Sequence, residues 1–103
     1  MYSTPYITKQ IGRSVKLVDI PTEMLSQRII YLGTEINDFV ANNIIQQMMW
    51  LSTVDESPID LYIQSPGGSA YAGLAIKDCM DVLNKRGIQV NTIGTGLVAS
   101  MGA

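Results

Sequence analysis

Three short runs of branched and aromatic residues alternate with two longer runs of helical period. That alternation constrains the fold more than any other feature of the chain. The short runs are Arg28-Ile29-Ile30-Tyr31-Leu32, closed by Gly33, then Ile59-Asp60-Leu61-Tyr62-Ile63-Gln64, then Ile88 to Ile93. Each is brief, apolar and bounded by turn residues, as buried strands are. Between the first two, Asn37 is placed to cap a helix with Asp38 in its first turn, where a negative charge suits the helix dipole. Val40, Ala41, Ile44, Ile45, Met48, Met49 and Leu51 or Ser52 then recur on one helical face, with Asn42, Asn43, Gln46 and Gln47 opposite. Asp55-Glu56-Ser57-Pro58 ends that helix in a loop.

Ser69 is placed to cap a second helix running to about Arg86, with an apolar face of Ala72, Leu74, Ala75, Cys79, Val82 and Leu83. Lys85 and Arg86 suit its negative end, and Gly87 suits a left-handed C-terminal cap. The period of about thirty residues is that of repeated βαβ units, so the fold class is α/β. Residues 1–27, which include Pro5 and Pro21, read as an irregular arm.

Composition narrows the class of function. The chain has 103 residues, 47% of them hydrophobic and 16% charged. So short a chain with a mean hydropathy of +0.17 is expected to cover apolar surface against another subunit or further polypeptide. A net charge of −2 leaves no basic stripe for nucleic acid. Cys79 is the only cysteine and there is no histidine, so the sequence offers neither a disulfide nor a transition-metal constellation. No leader pattern opens the chain and no stretch is apolar enough to span a bilayer. A single cysteine fits a reducing compartment.

Two glycine-bearing turns follow two of the strands. They are Ser65-Pro66-Gly67-Gly68, and Gly94-Thr95-Gly96-Leu97-Val98-Ala99-Ser100. In α/β sheets, ligands gather where parallel strands end and helices begin. Glycine lets main-chain N–H groups approach a ligand, and a helix N-terminus adds unpaired donors. Together they suit an oxyanion hole beside an exposed serine hydroxyl. An ordinary turn at Pro66-Gly67-Gly68 and a plain helix cap at Ser100 account for the same residues. Tyr31, Tyr62 and Trp50 read either as core aromatics or as part of a subunit interface or docking groove.

Ser65-Pro66-Gly67-Gly68-Ser69 with Ala72-Gly73 and Ile76 to Asp78, followed by Gly96 and Ala99-Ser100-Met101-Gly102-Ala103, resembles the proteolytic subunits of the Clp protease family. Met24 to Gly33 resembles the family's first core strand, and Asn42, Ile45, Gln47-Met48 and Leu51 its next helix. The likeness runs from about residue 20 to 103. It implies a ClpP/crotonase-like fold of repeated strand–helix units, incomplete after the nucleophile turn. Residues 1–20 would be an arm like the family's axial loop, and 21–103 the N-terminal part of the peptidase domain. It further implies an ATP-dependent serine endopeptidase that degrades unfolded polypeptides fed to it by an AAA+ unfoldase.

Carried over by motif, Ser100 is the nucleophile. The main-chain N–H groups of Gly68 and Met101 form the oxyanion hole, and Gly67 and Gly68 border the substrate groove. The family's histidine and aspartate follow the Ser100 motif and match nothing here. The expectation is a portion of a longer subunit, inactive by itself because a serine hydroxyl needs a base. The spacing from Gly68 to Ser100 is a few residues longer than in the family, and Val98 stands where alanine is common. The resemblance implies stacked heptameric rings, no cofactor in this subunit, ATP used by the unfoldase, and neither nucleic acid nor membrane as partner. A non-catalytic structural or regulatory ring subunit is the alternative. A crotonase-type acyl-CoA enzyme explains the glycine turns but leaves Ser100 without a role.

Overall fold

A computed structural model of the chain describes residues 6–94. Their order is β1 (Tyr6–Ile11), β2 (Ser14–Asp19), α1 (Ile20–Ser26), β3 (Ile29–Leu32), α2 (Asp38–Val54), β4 (Ile59–Ile63), α3 (Ala70–Lys85) and β5 (Val90–Gly94).

β3, β4 and β5 form a parallel sheet in sequential order. Right-handed crossovers between neighbouring strands carry both connecting helices to one face. There α2 and α3 pack against each other and onto the sheet. The inner face carries Ile30, Leu32, Ile59, Leu61, Ile63 and Val90. Against it lie Ala41, Ile44, Met48 and Leu51 of α2, and Ala72, Ile76 and Leu83 of α3. The register sets Tyr31, Tyr62 and Ile93 side by side on the opposite face, all three partly exposed. Asn91 donates to Asp60 at 3.0 Å in the next row of that face.

The helix ends follow the local sequence. Asn37 accepts a hydrogen bond from the Val40 N–H at 2.8 Å, and Ser69 accepts from Ala72 at 3.3 Å. At the end of α3, Gly87 adopts a φ of +88°. Its N–H donates to the Asn84 carbonyl at 3.0 Å, and the Ile88 N–H donates to Leu83 at 2.9 Å. That is a Schellman arrangement, closed by contact between buried Ile88 and Leu83 in the core. Ile88 is spent on this cap, so β5 starts at Val90 rather than at the Ile88 expected from the sequence.

Three other expectations are corrected. The arm is not irregular within the described residues. β1 and β2 form an antiparallel hairpin with Ile11 opposite Ser14, and Gly12 sits in the loop at a φ of +60°. Glycine with positive φ at the first loop position is the two-residue turn whose twist matches paired strands. α1 follows, with Pro21 in its first turn, where a missing N–H costs nothing. Secondly, Leu74, Ala75 and Val82 face outward, and Ile76 takes the core position on α3. The α2 face is also narrower than expected, since Met49 is exposed. A helix packed on one sheet and one neighbour buries only part of its circumference, so alternative apolar stripes compete and packing selects one.

Thirdly, Arg28 precedes β3 instead of belonging to it. Its backbone is left-handed, with a φ of +64°. Its guanidinium donates to the carbonyls of Leu51 (2.9 Å), Asp55 (3.2 Å), Ser57 (2.6 Å) and Pro58 (3.2 Å). It also lies 3.2 Å from the Asp55 carboxylate. The last turn of α2 contains no basic residue. Arg28 supplies the cation that the helix dipole favours there, and it satisfies carbonyls the helix leaves unpaired. The Ser57 N–H, the Ser57 side chain and Arg28 together hold the Asp55 carboxyl below its ordinary range.

The hairpin is tied to α1 through Lys9. Its ammonium lies 3.0 and 2.9 Å from the two carboxylate oxygens of Glu23. This bond, with a second from Gln27 at 3.2 Å, lowers the titration of Glu23. A carboxyl depressed in the folded state stabilises it above the unfolded value near pH 4.3, and that contribution is lost as pH falls through the folded value.

Two outcomes are expected. Arg28→Ala lowers unfolding stability by about 2–3 kcal/mol, the scale for losing a charged donor from partly buried carbonyls. Arg28→Lys recovers less than half of this, because a point ammonium cannot span the same carbonyls. Urea midpoints measure both, and an unchanged midpoint for R28A would contradict the role given to Arg28. In an NMR titration, Glu23 ionises below the ordinary glutamate range, and Lys9→Met moves its midpoint upward.

Candidate functional site

All three strands of the parallel sheet end at one edge. Ile63, the last residue of β4, pairs with Gly94, the last of β5. Both strands therefore end at the same edge, the one at which open α/β sheets build their sites.

Ser65-Pro66-Gly67-Gly68 connects β4 to α3. Gly67 adopts a φ of +119° and Gly68 a φ of +150°, both in the region that favours glycine. The Ser65 hydroxyl lies 3.3 Å from both the N–H and the carbonyl of Gly67. Gly68 forms an isolated parallel bridge with Ile36, a residue of the segment between β3 and α2. The Ile36 N–H donates to the Gly67 carbonyl at 2.9 Å, and the Ser69 N–H donates to the Ile36 carbonyl at 2.8 Å. The approach is so close that a Cβ on Gly68 would collide with the Ile36 main chain. A Cβ on Gly67 would meet nothing within 4 Å.

The N–H of Gly68 has no acceptor among the described residues, and the residue is exposed. It immediately precedes Ser69, the N-cap of a sixteen-residue helix. A main-chain donor without an acceptor among the described residues thus stands in an exposed turn where the helix dipole is positive. The arrangement can bind an anion or a developing oxyanion. Gly67 adjoins it in the same turn. Ser100 and Met101, the other expected members of the site, lie outside the described residues.

No competing nucleophile or metal centre stands out among the described residues. Burial pushes the thiol of half-buried Cys79 upward, which disfavours the reactive thiolate. No three His, Cys, Asp or Glu side chains there are grouped to hold a metal ion. No helix among them is long and apolar enough to cross a membrane. Tyr31, Tyr62 and Trp50 are all partly exposed, but they do not form one cluster. The tyrosines share the outer face of the sheet, while Trp50 lies on α2.

Sequence reasoning missed Ile36. Its part in the site is played by main-chain groups, and it lies between the two runs that carried recognisable patterns. The one available signal was an apolar residue immediately before the Asn37 cap, the position of a hydrophobic staple.

A family model described as Clp protease matches residues 12–103. The ATP-dependent Clp protease proteolytic subunit of Bacteroides thetaiotaomicron is 42% identical over 103 residues, covering 99% of this chain and 46% of that protein. The chain thus spans about half the length of the curated relative it matches.

The close approach at Gly68 sets a measurable order. Alanine at Gly67 or Gly68 must adopt an unfavourable φ, a strain of about 1–3 kcal/mol. Gly68→Ala adds the collision with Ile36, so it is expected to be the more destabilising of the two. Thermal unfolding of the two variants measures the difference, and equal melting temperatures would contradict the bridge.

Proposed function

The chain belongs to the Clp protease family, and on that premise we propose that it works in a serine-type endopeptidase, with Ser100 as the attacking nucleophile. The N–H groups of Gly68 and Met101 stabilise the oxyanion that forms when Ser100 adds to the peptide carbonyl. Gly67 and Gly68 border the groove in which an extended substrate lies. Main-chain recognition of this kind tolerates many sequences, which suits unfolded polypeptides as the substrate class.

The observation that carries this reading is the N–H of Gly68, an exposed residue at the carboxyl edge of the sheet, which has no acceptor among the described residues. The turn is pressed against the Ile36 main chain, which fixes the place of that donor. A histidine and an aspartate supplied by further polypeptide would complete the proton transfer, since this chain contains no histidine. ATP is used by a partner AAA+ unfoldase, and this subunit needs no cofactor. Residues 1–20 meet that partner, and 21–103 belong to the peptidase domain. The assembly is a set of stacked homo-oligomeric rings in a cytoplasmic compartment. A structural ring subunit without catalysis is the second reading, favoured by the apolar composition, which suits an interface.

The deciding experiment uses the protein at its natural length. Ser100→Ala is expected to reduce turnover of an unfolded substrate by about 10⁴- to 10⁶-fold, the scale seen when a catalytic serine is removed. A fluorophosphonate is expected to label Ser100 there, and to label the isolated 103-residue chain only slowly. Full turnover by S100A would overturn the serine mechanism. Absence of both labelling and turnover in the natural-length protein would favour the structural reading.

A further inference from the structure

An oxyanion donor is useful only when its direction is fixed before the reaction, because donors must lie within about 2.7–3.1 Å of the place where the charge appears. A glycine pair is the least able of all sequences to fix its own direction. Something outside the turn must therefore hold Gly68. The peptide groups of Ile36 flank it on both sides, through the bonds to the Gly67 carbonyl at 2.9 Å and from the Ser69 N–H at 2.8 Å. In a parallel bridge, the residue between the two bonds turns its own N–H and C=O away from its partner. The direction of the Gly68 N–H is thus set by Ile36.

Ile36 is itself immobilised. Its side chain is 2% exposed and belongs to the core. Asn37, the next residue, is locked as the N-cap of α2. The Ser65 hydroxyl, 3.3 Å from the N–H and the carbonyl of Gly67, is a second and weaker support. Resting on the serine-peptidase reading above, we propose that Ile36 is a positioning residue for the oxyanion-binding N–H of Gly68, acting through its main-chain N–H and carbonyl. The core side of the sheet is thereby wired to the reaction edge through one peptide. No bond to substrate is made by Ile36, and no proton passes through it.

The test is made in the natural-length protein. Residue 36 is replaced by the α-hydroxy acid that carries the isoleucine side chain. This converts its amide to an ester, which deletes the donor to Gly67 and weakens the Glu35 carbonyl as an acceptor. The expected result is a fall in kcat of about 10- to 100-fold, the scale for a small misplacement of a reacting group. KM stays within about twofold, as it does when an interaction specific to the transition state is lost. Affinity for a peptide boronate, which mimics the tetrahedral intermediate, falls in step with kcat, while affinity for a product peptide does not. Ile36→Val, which keeps the amide and only shortens the side chain, lowers kcat by less than the ester does.

An unchanged kcat in the ester variant, alongside loss of turnover in Ser100→Ala, would overturn the positioning role and leave the serine mechanism standing. Turnover that survives Ser100→Ala would overturn both. If the ester variant at residue 36 does not fold, an ester at residue 69 decides, because it removes the Ser69 donor to the Ile36 carbonyl. A several-fold lower kcat at constant KM in that second variant supports the clamp, and wild-type kcat overturns it.

Discussion

Parallel pairing forces every strand of this sheet to leave from the same edge, and most of the structure follows from that. A parallel strand can return only by a long crossover, so α2 and α3 are consequences of the pairing. Sequential strand order and right-handed crossovers place both helices on one face, where the core forms. The opposite face, with Tyr31, Tyr62 and Ile93 in one row, is left to other contacts. The same geometry gathers the strand ends, which brings the glycine turn after β4 beside the exit of β5.

Within that frame, two long-range anchors join segments that are remote in sequence. Arg28 closes the end of α2 by reaching across to the carbonyls of Leu51, Asp55, Ser57 and Pro58. Its carbonyl also accepts from the Asp60 N–H at 3.0 Å, so one residue opens the β3–β4 ladder and caps the helix between those strands. At the other end of the sheet, Ile36 grips the turn around Gly68. The first anchor is a charged side chain and the second is main chain, yet each makes a strand edge rigid where a helix meets it. In the proposed oxyanion role, rigidity at Gly68 would bear on chemistry, because a preorganised donor needs no reorganisation when charge develops.

The hairpin stands apart from this frame. It pairs within itself and is tied to α1 by Lys9 and Glu23, an ion pair in partial contact with water. Its exposed Ile7, Ile11, Val15 and Leu17 contrast with the closed core of the sheet layer. Membership of the Clp protease family covers residues 12–103, and so takes in the second strand of the hairpin.

The sequence by itself determined the strand–helix alternation, the caps at Asn37, Ser69 and Gly87, and the glycine turn after β4. These features depend on contacts within a few residues, so local chemistry is enough to specify them. It left the hairpin unread, because strand pairing through a two-residue loop is weakly marked when prolines lie nearby. It misplaced the buried face of α3, because Leu74, Val82 and Ile76 are equally apolar and only packing against α2 and the sheet selects among them. The role of Arg28 and the clamp of Ile36 on Gly68 were decided by tertiary structure alone. Both act across segments far apart in the chain, and the second works through peptide groups that every residue but proline possesses, so no side-chain pattern could have disclosed it.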